Sequence, residues 1–206
     1  THMKAGGAVL PQGAKEALLE AARDEGLPVH LDGARAFNAA AAMGVGIDEV
    51  TAGFDSVSIC LSKGLGAPAG TVLLGGRAFL TRAHRYRKAF GGGMRQTGVL
   101  AAAGLEAIRR GPQRLADDHR RARRLAQGLA SLPGVEAAPE GVQTNIVYVS
   151  IDDAHAVVDD WTEHGVLANA LGPRSVRLVT HFQVDDDAIE RALAIVAERL
   201  ERRRAA

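Results

Sequence analysis

Two short apolar runs, each ending on a polar residue, constrain this chain more than anything else in it. They are Pro28-Val29-His30-Leu31-Asp32 and Ser56-Val57-Ser58-Ile59-Cys60-Leu61-Ser62-Lys63. Their length and β-branched content read as buried strands. Between them, residues 34–43 are alanine-rich enough for a helix, and residues 48–54 read as a second, shorter one. Ahead of them, Ala14, Ala17, Leu18, Ala21 and Ala22 recur at helical spacing, with Gly26 as a C-cap. Residues 71–74 add a further strand after the turn GAPAG. This alternation predicts an α/β layered fold with a mostly parallel or mixed sheet. In such sheets ligands sit at the carboxyl ends of the strands, which is where Asp32 and Lys63 fall.

The rest of the chain changes texture. Residues 77–90 read as a helix, polar on one side; Gly91-Gly92-Gly93 interrupts it, and residues 94–109 resume. Gly111-Pro112 marks a break, and residues 112–132 form a strongly basic helix. Residues 145–151 are a strand, and residues 154–165 a helix with Trp161 on its apolar side. Residues 166–168 and 175–179 are short strands. Residues 185–204 close the chain as an amphipathic helix striped by Ile189, Leu193, Val196 and Leu200. Asp185-Asp186-Asp187 places carboxylates at its positive end. From about residue 112 the pattern is α+β, so the expected division is 1–111 and 112–206.

Composition removes several functions. A formal net charge of +1 and only 4% aromatic residues argue against a nucleic-acid partner. Arg120, Arg121, Arg123 and Arg124 are basic, but Asp117 and Asp118 stand beside them, which fits a solvated helix. No apolar run approaches the roughly 20 residues of a membrane helix. A single cysteine, Cys60, permits no internal disulfide and fits a reducing, cytoplasmic setting. No metal site is expected: Asp117, Asp118 and His119 are adjacent on a helix and point in different directions.

Asp32 and Lys63, delivered to one sheet edge, suit an aldehyde cofactor. A desolvated lysine amine condenses with pyridoxal phosphate. A buried carboxylate beside the pyridine nitrogen keeps that nitrogen protonated. Arg35, three residues after Asp32 at a helix start, stays near the same edge. Taken singly, each has a plainer reading: a solvated lysine, an Asp-Gly turn, a surface ion pair.

The segments HLDGARAFNAA (30–40), ICLSKGLGAPAG (59–70), RKAFGGGMRQTG (87–98) and VRLVTHFQV (176–184) strongly resemble the low-specificity L-threonine aldolases. The likeness runs in order from Thr1 almost to the C-terminus. It implies the C-terminal portion of a fold-type-I pyridoxal-phosphate fold: a partial large domain with a mixed sheet, plus a small α+β domain. It also implies roles. Lys63 would carry pyridoxal 5'-phosphate as a Schiff base, and Asp32 would partner the pyridine nitrogen. Arg35 would lie beside the cofactor and help bind the substrate carboxylate, which Arg177 would grip. The implied reaction splits L-threonine or L-allo-threonine into glycine and acetaldehyde. A base takes the β-hydroxyl proton, the Cα–Cβ bond breaks, and the ring accepts the electrons. A homodimer or homotetramer is implied as well.

Some features stay open. The Gly91–Arg95 stretch reads either as a hinge or as a loop that approaches the site or a neighbouring subunit. For the general base, His181 and His2 are candidates; His119 reads as solvated and His30 as a satisfied core residue. Thr1–Gly7 matches an internal stretch of the family pattern, so an N-terminal part with the phosphate-cradling loop is expected upstream. Three further readings therefore stand beside the aldolase. The chain is an inactive fragment needing that segment, a noncatalytic binding protein on an aldolase-like scaffold, or another pyridoxal-phosphate β-eliminating lyase.

Overall fold

The computed structural model describes residues 1–205. They form two compact units: Leu10–Leu115 with Thr1, and the residues from Ala116 onward with His2–Val9.

The first unit opens with α1 (Gln12–Asp24). It ends at Gly26, whose φ of 63° is left-handed. The Gly26 and Leu27 N–H groups then reach back to Arg23 and Ala22 carbonyls at 3.0 and 2.8 Å, so the glycine ends the helix as its sequence position suggests. Next come β1 (His30–Asp32), α2 (Ala36–Met43), α3 (Ile47–Thr51), β2 (Ser56–Cys60) and β3 (Thr71–Gly75). Then follow α4 (Arg77–Ala89), α5 (Gly98–Arg110) and a 3-10 turn at Gly111–Arg114. β1 and β2 are parallel, with Asp32 opposite Ser58, and the chain carrying α2 and α3 makes the crossover. β3 returns antiparallel to β2, so the sheet is mixed, in the order β1-β2-β3. Val57, Ile59, Leu61, Leu65, Ala67, Ala107 and Leu115 form its core.

The first unit departs from its sequence pattern at two places. β1 is not a buried strand: it starts at His30, and His30 and Asp32 are exposed with only Leu31 half-buried. Three residues at the edge of a three-stranded sheet are too few to be covered on both sides within this unit. The helix expected from residue 94 begins only at Gly98. Positive φ at Gly91 (84°) and Gln96 (50°) holds the intervening chain out of the helical region.

The second unit contains α6 (Leu115–Ala130), β4 (Glu136–Ala137), β5 (Ile146–Ser150), α7 (Ala154–Glu163), β6 (Asn169–Gly172), β7 (Ser175–Val179) and α8 (Asp186–Ala205). Its sheet is antiparallel, in the order β4-β5-β7-β6. Strand alternation sorts the two faces. Val147, Val149, Val176 and Leu178 enter one core with Leu129 of α6, Trp161 of α7 and Val196 of α8. Ile146, Tyr148 and Ser150 lie opposite Val179, Arg177 and Ser175 on the other face. The strand expected at 166–168 starts later, at Asn169. Val166 instead closes α7, its N–H bonding the Trp161 carbonyl at 2.9 Å.

The arginines of α6 are not merely solvated. Arg120 and Arg121 both bond Asp186, at 3.0 and 2.9 Å, and Arg124 bonds Glu190 at 2.7 Å. They tie α6 to the acidic start of α8. Arg199 of α8 clasps Asp160 of α7 through Nε at 3.1 Å and Nη2 at 2.7 Å. This two-pronged contact holds the Asp160 carboxyl below the usual carboxylate range. Asp160, Glu163 and His164 offer ligand atoms within 4.8 Å of one another, but Arg199 already engages Asp160.

Candidate active site

In the first unit the parallel register carries the site. Because β1 and β2 run the same way, their carboxyl ends share an edge. Asp32 is the last residue of β1. Lys63 follows β2 by three positions, in a turn where the Gly66 N–H bonds the Lys63 carbonyl at 2.9 Å. The ladder is extended beyond Asp32 by the Gly33 N–H, which bonds the Ser58 carbonyl at 2.8 Å. A side chain at Gly33 would meet that oxygen at 2.7 Å, so only glycine allows the strand to run this close. Asp32 turns into the helix by accepting the Ala34 N–H on Oδ1 at 3.1 Å. That leaves Oδ2 for another partner. Arg35, half-buried, is the N-cap of α2, so one turn separates it from Asp32.

Lys63 and Asp32 are both exposed in this chain, which corrects the expectation of a desolvated lysine and a buried carboxylate. The Lys63 amine makes no hydrogen bond or ion pair among the described residues. Its charge is nonetheless felt at Cys60. Burial is the largest single influence and raises that thiol's pKa, but the Ser62 hydroxyl at 3.3 Å, the Ser62 backbone, Lys63 and Thr71 together outweigh it, and the net value lies below an ordinary thiol. The backbone around Lys63 is made of close approaches. A Cβ on Gly64 would lie 3.1 Å from Asn38 Oδ1, and one on Gly111 would lie 2.9 Å from the Leu65 backbone.

This donor set fits pyridoxal phosphate at its aldehyde and ring-nitrogen ends: a free primary amine, and a carboxylate with an open oxygen at the same sheet edge. Lys63 would hold the aldehyde carbon and Asp32 the ring nitrogen.

In the second unit Arg177 sits on β7 between Tyr148 of β5 and Asn169 of β6, in register with both. It is half-buried, makes no ion pair among the described residues, and its Nε hydrogen is buried without an acceptor. Its Nη1 donates to the Met3 sulfur at 3.0 Å. A guanidinium N–H left without an acceptor in this way is the kind of donor that a carboxylate oxygen can satisfy.

The candidate histidines separate. His30 is exposed, not a core residue, and its Nδ1 lies 2.8 Å from Ser56 Oγ. His119, expected to be solvated, is buried, and burial, reinforced by Arg123, pushes its pKa down to about 4. The sequence did hold this signal: His119 stands three residues before Ala122, on the stripe that continues through Ala126 and Leu129. His181 lies just after β7, and its Nδ1 accepts the Gln183 N–H at 3.4 Å. His2 is exposed and pairs by backbone with Ala8.

A mixed α/β sheet unit followed by an antiparallel α+β unit has the fold of the type I pyridoxal-phosphate enzymes. Residues 1–152 match the beta-eliminating lyase family model, and the chain belongs to that family. Among curated relatives, the low specificity L-threonine aldolase of Escherichia coli (strain K12) is 40% identical over 188 residues, covering 91% of this chain and 56% of its own. A solved structure from Exiguobacterium sp. 255-15, provisionally described as an aromatic amino acid beta-eliminating lyase/threonine aldolase, superposes with a TM-score of 0.80. It shares 22% identity and covers 96% of this chain and 59% of that one. The Toxoplasma gondii ornithine aminotransferase, a structure with partial occupancy of PLP, gives 0.65 at 16% identity over 96% of this chain and 49% of that one. The chain thus spans just over half the length of the curated relative.

Proposed function

We propose that this chain is the lysine-bearing part of a pyridoxal-phosphate aldehyde-lyase that cleaves L-threonine or L-allo-threonine to glycine and acetaldehyde. The observation that carries the reading is the pairing of Asp32 and Lys63 at one carboxyl edge of a parallel strand pair, in a chain of the beta-eliminating lyase family. The resemblance of the curated relatives to this chain supports the substrate class.

When bound, pyridoxal phosphate supplies an electron sink that lets the bond between Cα and a hydroxyl-bearing Cβ break. Lys63 supplies the amine that holds its aldehyde carbon. Asp32 keeps a proton on the ring nitrogen, because a carboxylate beside a pyridinium favours the charged form. Arg35 accompanies the cofactor and contributes to carboxylate binding. Arg177 takes the substrate carboxylate, its Nε being a buried donor that lacks an acceptor in this structure. The reading includes a homodimer or homotetramer and a cytoplasmic location. No helix among the described residues is long and apolar enough to cross a membrane.

A second reading has its own support. The chain covers 56% of the E. coli relative, and both Lys63 and Asp32 are exposed. On this reading the chain holds the cofactor only together with the rest of the family pattern. Turnover decides between them. Glycine and acetaldehyde are measured from L-threonine and from L-allo-threonine with added cofactor, for the chain and for Lys63→Ala. Product from the chain that vanishes in Lys63→Ala supports the first reading. No product from either protein contradicts self-sufficient activity and favours the second.

A further inference from the structure

We propose that Met3 is a positioning residue for Arg177, and that the segment His2–Val9 is built to place its sulfur there. The inference rests on the reading of Arg177 as the carboxylate-binding residue.

The segment closes on itself. The His2 N–H bonds the Ala8 carbonyl at 2.9 Å, and the Ala5 and Gly7 N–H groups both bond the His2 carbonyl at 3.1 Å. Met3–Ala5 is a 3-10 turn, ended by Gly6 and Gly7 with φ of 70° and 75°. The small loop is then fixed to the strand that leads to Arg177's neighbours. Buried Thr144 donates its hydroxyl to the Gly7 carbonyl at 2.8 Å, and the Val9 N–H donates to Gln143 Oε1 at 2.7 Å. The fit at Gly7 is tight: a Cβ there would stand 2.6 Å from Thr144 Oγ1 and 3.0 Å from Ile146 Cβ. The outcome of this construction is one contact, Arg177 Nη1 to Met3 Sδ at 3.0 Å.

That contact selects an edge of the guanidinium. Nη1 lies on the side of the side-chain stem, so holding it leaves the opposite pair, Nε and Nη2, together. These two parallel donors match a carboxylate in the side-on, two-bond arrangement. Nε is the atom found buried without an acceptor. An unmade bond at a buried donor is costly, so the site favours a ligand that supplies the oxygen. A thioether is a weak acceptor that orients the fork without neutralising its charge. A carboxylate in its place would compete with the substrate.

The test reads the Arg177 Nε–H directly. Arginine Nε–H signals of the 206-residue chain are recorded by proton–nitrogen correlation NMR, with Arg177→Lys identifying the signal by its loss. Glycine and acetate are then titrated into the chain, into Met3→Leu and into Met3→Gln. Leucine keeps the volume and removes the acceptor; glutamine restores an acceptor at similar reach. Met3 is more than a third exposed, so neither change opens the core. Saturable movement of the signal is expected in the chain, weakened about fivefold in Met3→Leu, the scale of one neutral hydrogen bond, and recovered in Met3→Gln. Equal affinity in the chain and in Met3→Leu overturns the role of Met3 while leaving Arg177 as the carboxylate site. An Arg177 signal that does not move in the chain itself overturns the carboxylate reading, and the inference with it.

Discussion

At the scale of single residues, Lys63 and Cys60 can be used to read each other. The Lys63 charge helps hold the Cys60 thiol below its ordinary pKa, after the larger effect of the Ser62 hydroxyl. A lowered pKa means more thiolate at a given pH, so alkylation of Cys60 by iodoacetamide is expected to turn on below the ordinary thiol range. Lys63→Met shifts that pH profile upward; an unchanged profile would show that the amine does not face the thiol. Gly33→Ala places a methyl 2.7 Å from the Ser58 carbonyl oxygen, which backbone cannot yield cheaply. A loss of roughly 1–3 kcal/mol is expected from the urea midpoint. The candidate residues could be picked out because each lies in a contiguous motif: DGAR holds Asp32 and Arg35, LSKG holds Lys63, and VRLVTH holds Arg177. Their exposure was not, because burial depends on what packs over a strand end rather than on the strand itself. Met3 carried no local signal at all; its partner lies 174 residues away.

At the scale of elements, α6 shows how charge patterning misleads. The run Asp117-Asp118-His119-Arg120-Arg121 reads as a wet helix face, yet Asp118 and His119 are buried, and Arg120 and Arg121 reach across to α8. The consequence is a pH dependence with a definite sign. The folded ring of His119 has a pKa of about 4 against an ordinary 6.5. Between these values the unfolded chain takes up a proton that the folded chain refuses, so folding weakens as pH falls from about 6.5 toward 4. Above that window this contribution is complete. Denaturant midpoints from Trp161 fluorescence, which reports the second unit's core, are expected to fall across it, and the slope is expected to flatten in His119→Leu. A slope unaltered by the substitution would place the titration elsewhere. Most helices and strands were legible from periodicity and from Gly and Pro punctuation. β4 was missed, since two residues give no period, and β6 was displaced by the closing turn of α7.

At the scale of the whole molecule, the distribution of apolar surface matters most. All of β3 is exposed despite the sequence Thr-Val-Leu-Leu-Gly, and Phe90, Met94 and Val99 are exposed around the start of α5. Such surface is a site for association. The chain is expected to sediment with a mass that rises with concentration, and Phe90→Glu to shift it toward monomer; a monomer at every concentration would contradict this. The α/β order, the mixed sheet and the family were all open to reading in the sequence, because strand-end motifs and their spacing carry them. The division into units was readable only in outline: that His2–Val9 joins the second unit follows from contacts with Gln143 and Thr144, far along the chain. Whether Lys63 is the lysine that holds pyridoxal phosphate is read out by borohydride reduction of the chain with added cofactor, followed by peptide mapping by mass. One reduced adduct per chain, on Lys63 and formed at low cofactor concentration, is the predicted result. Labelling scattered over Lys4, Lys15 and Lys88, with no preference for Lys63, would contradict it.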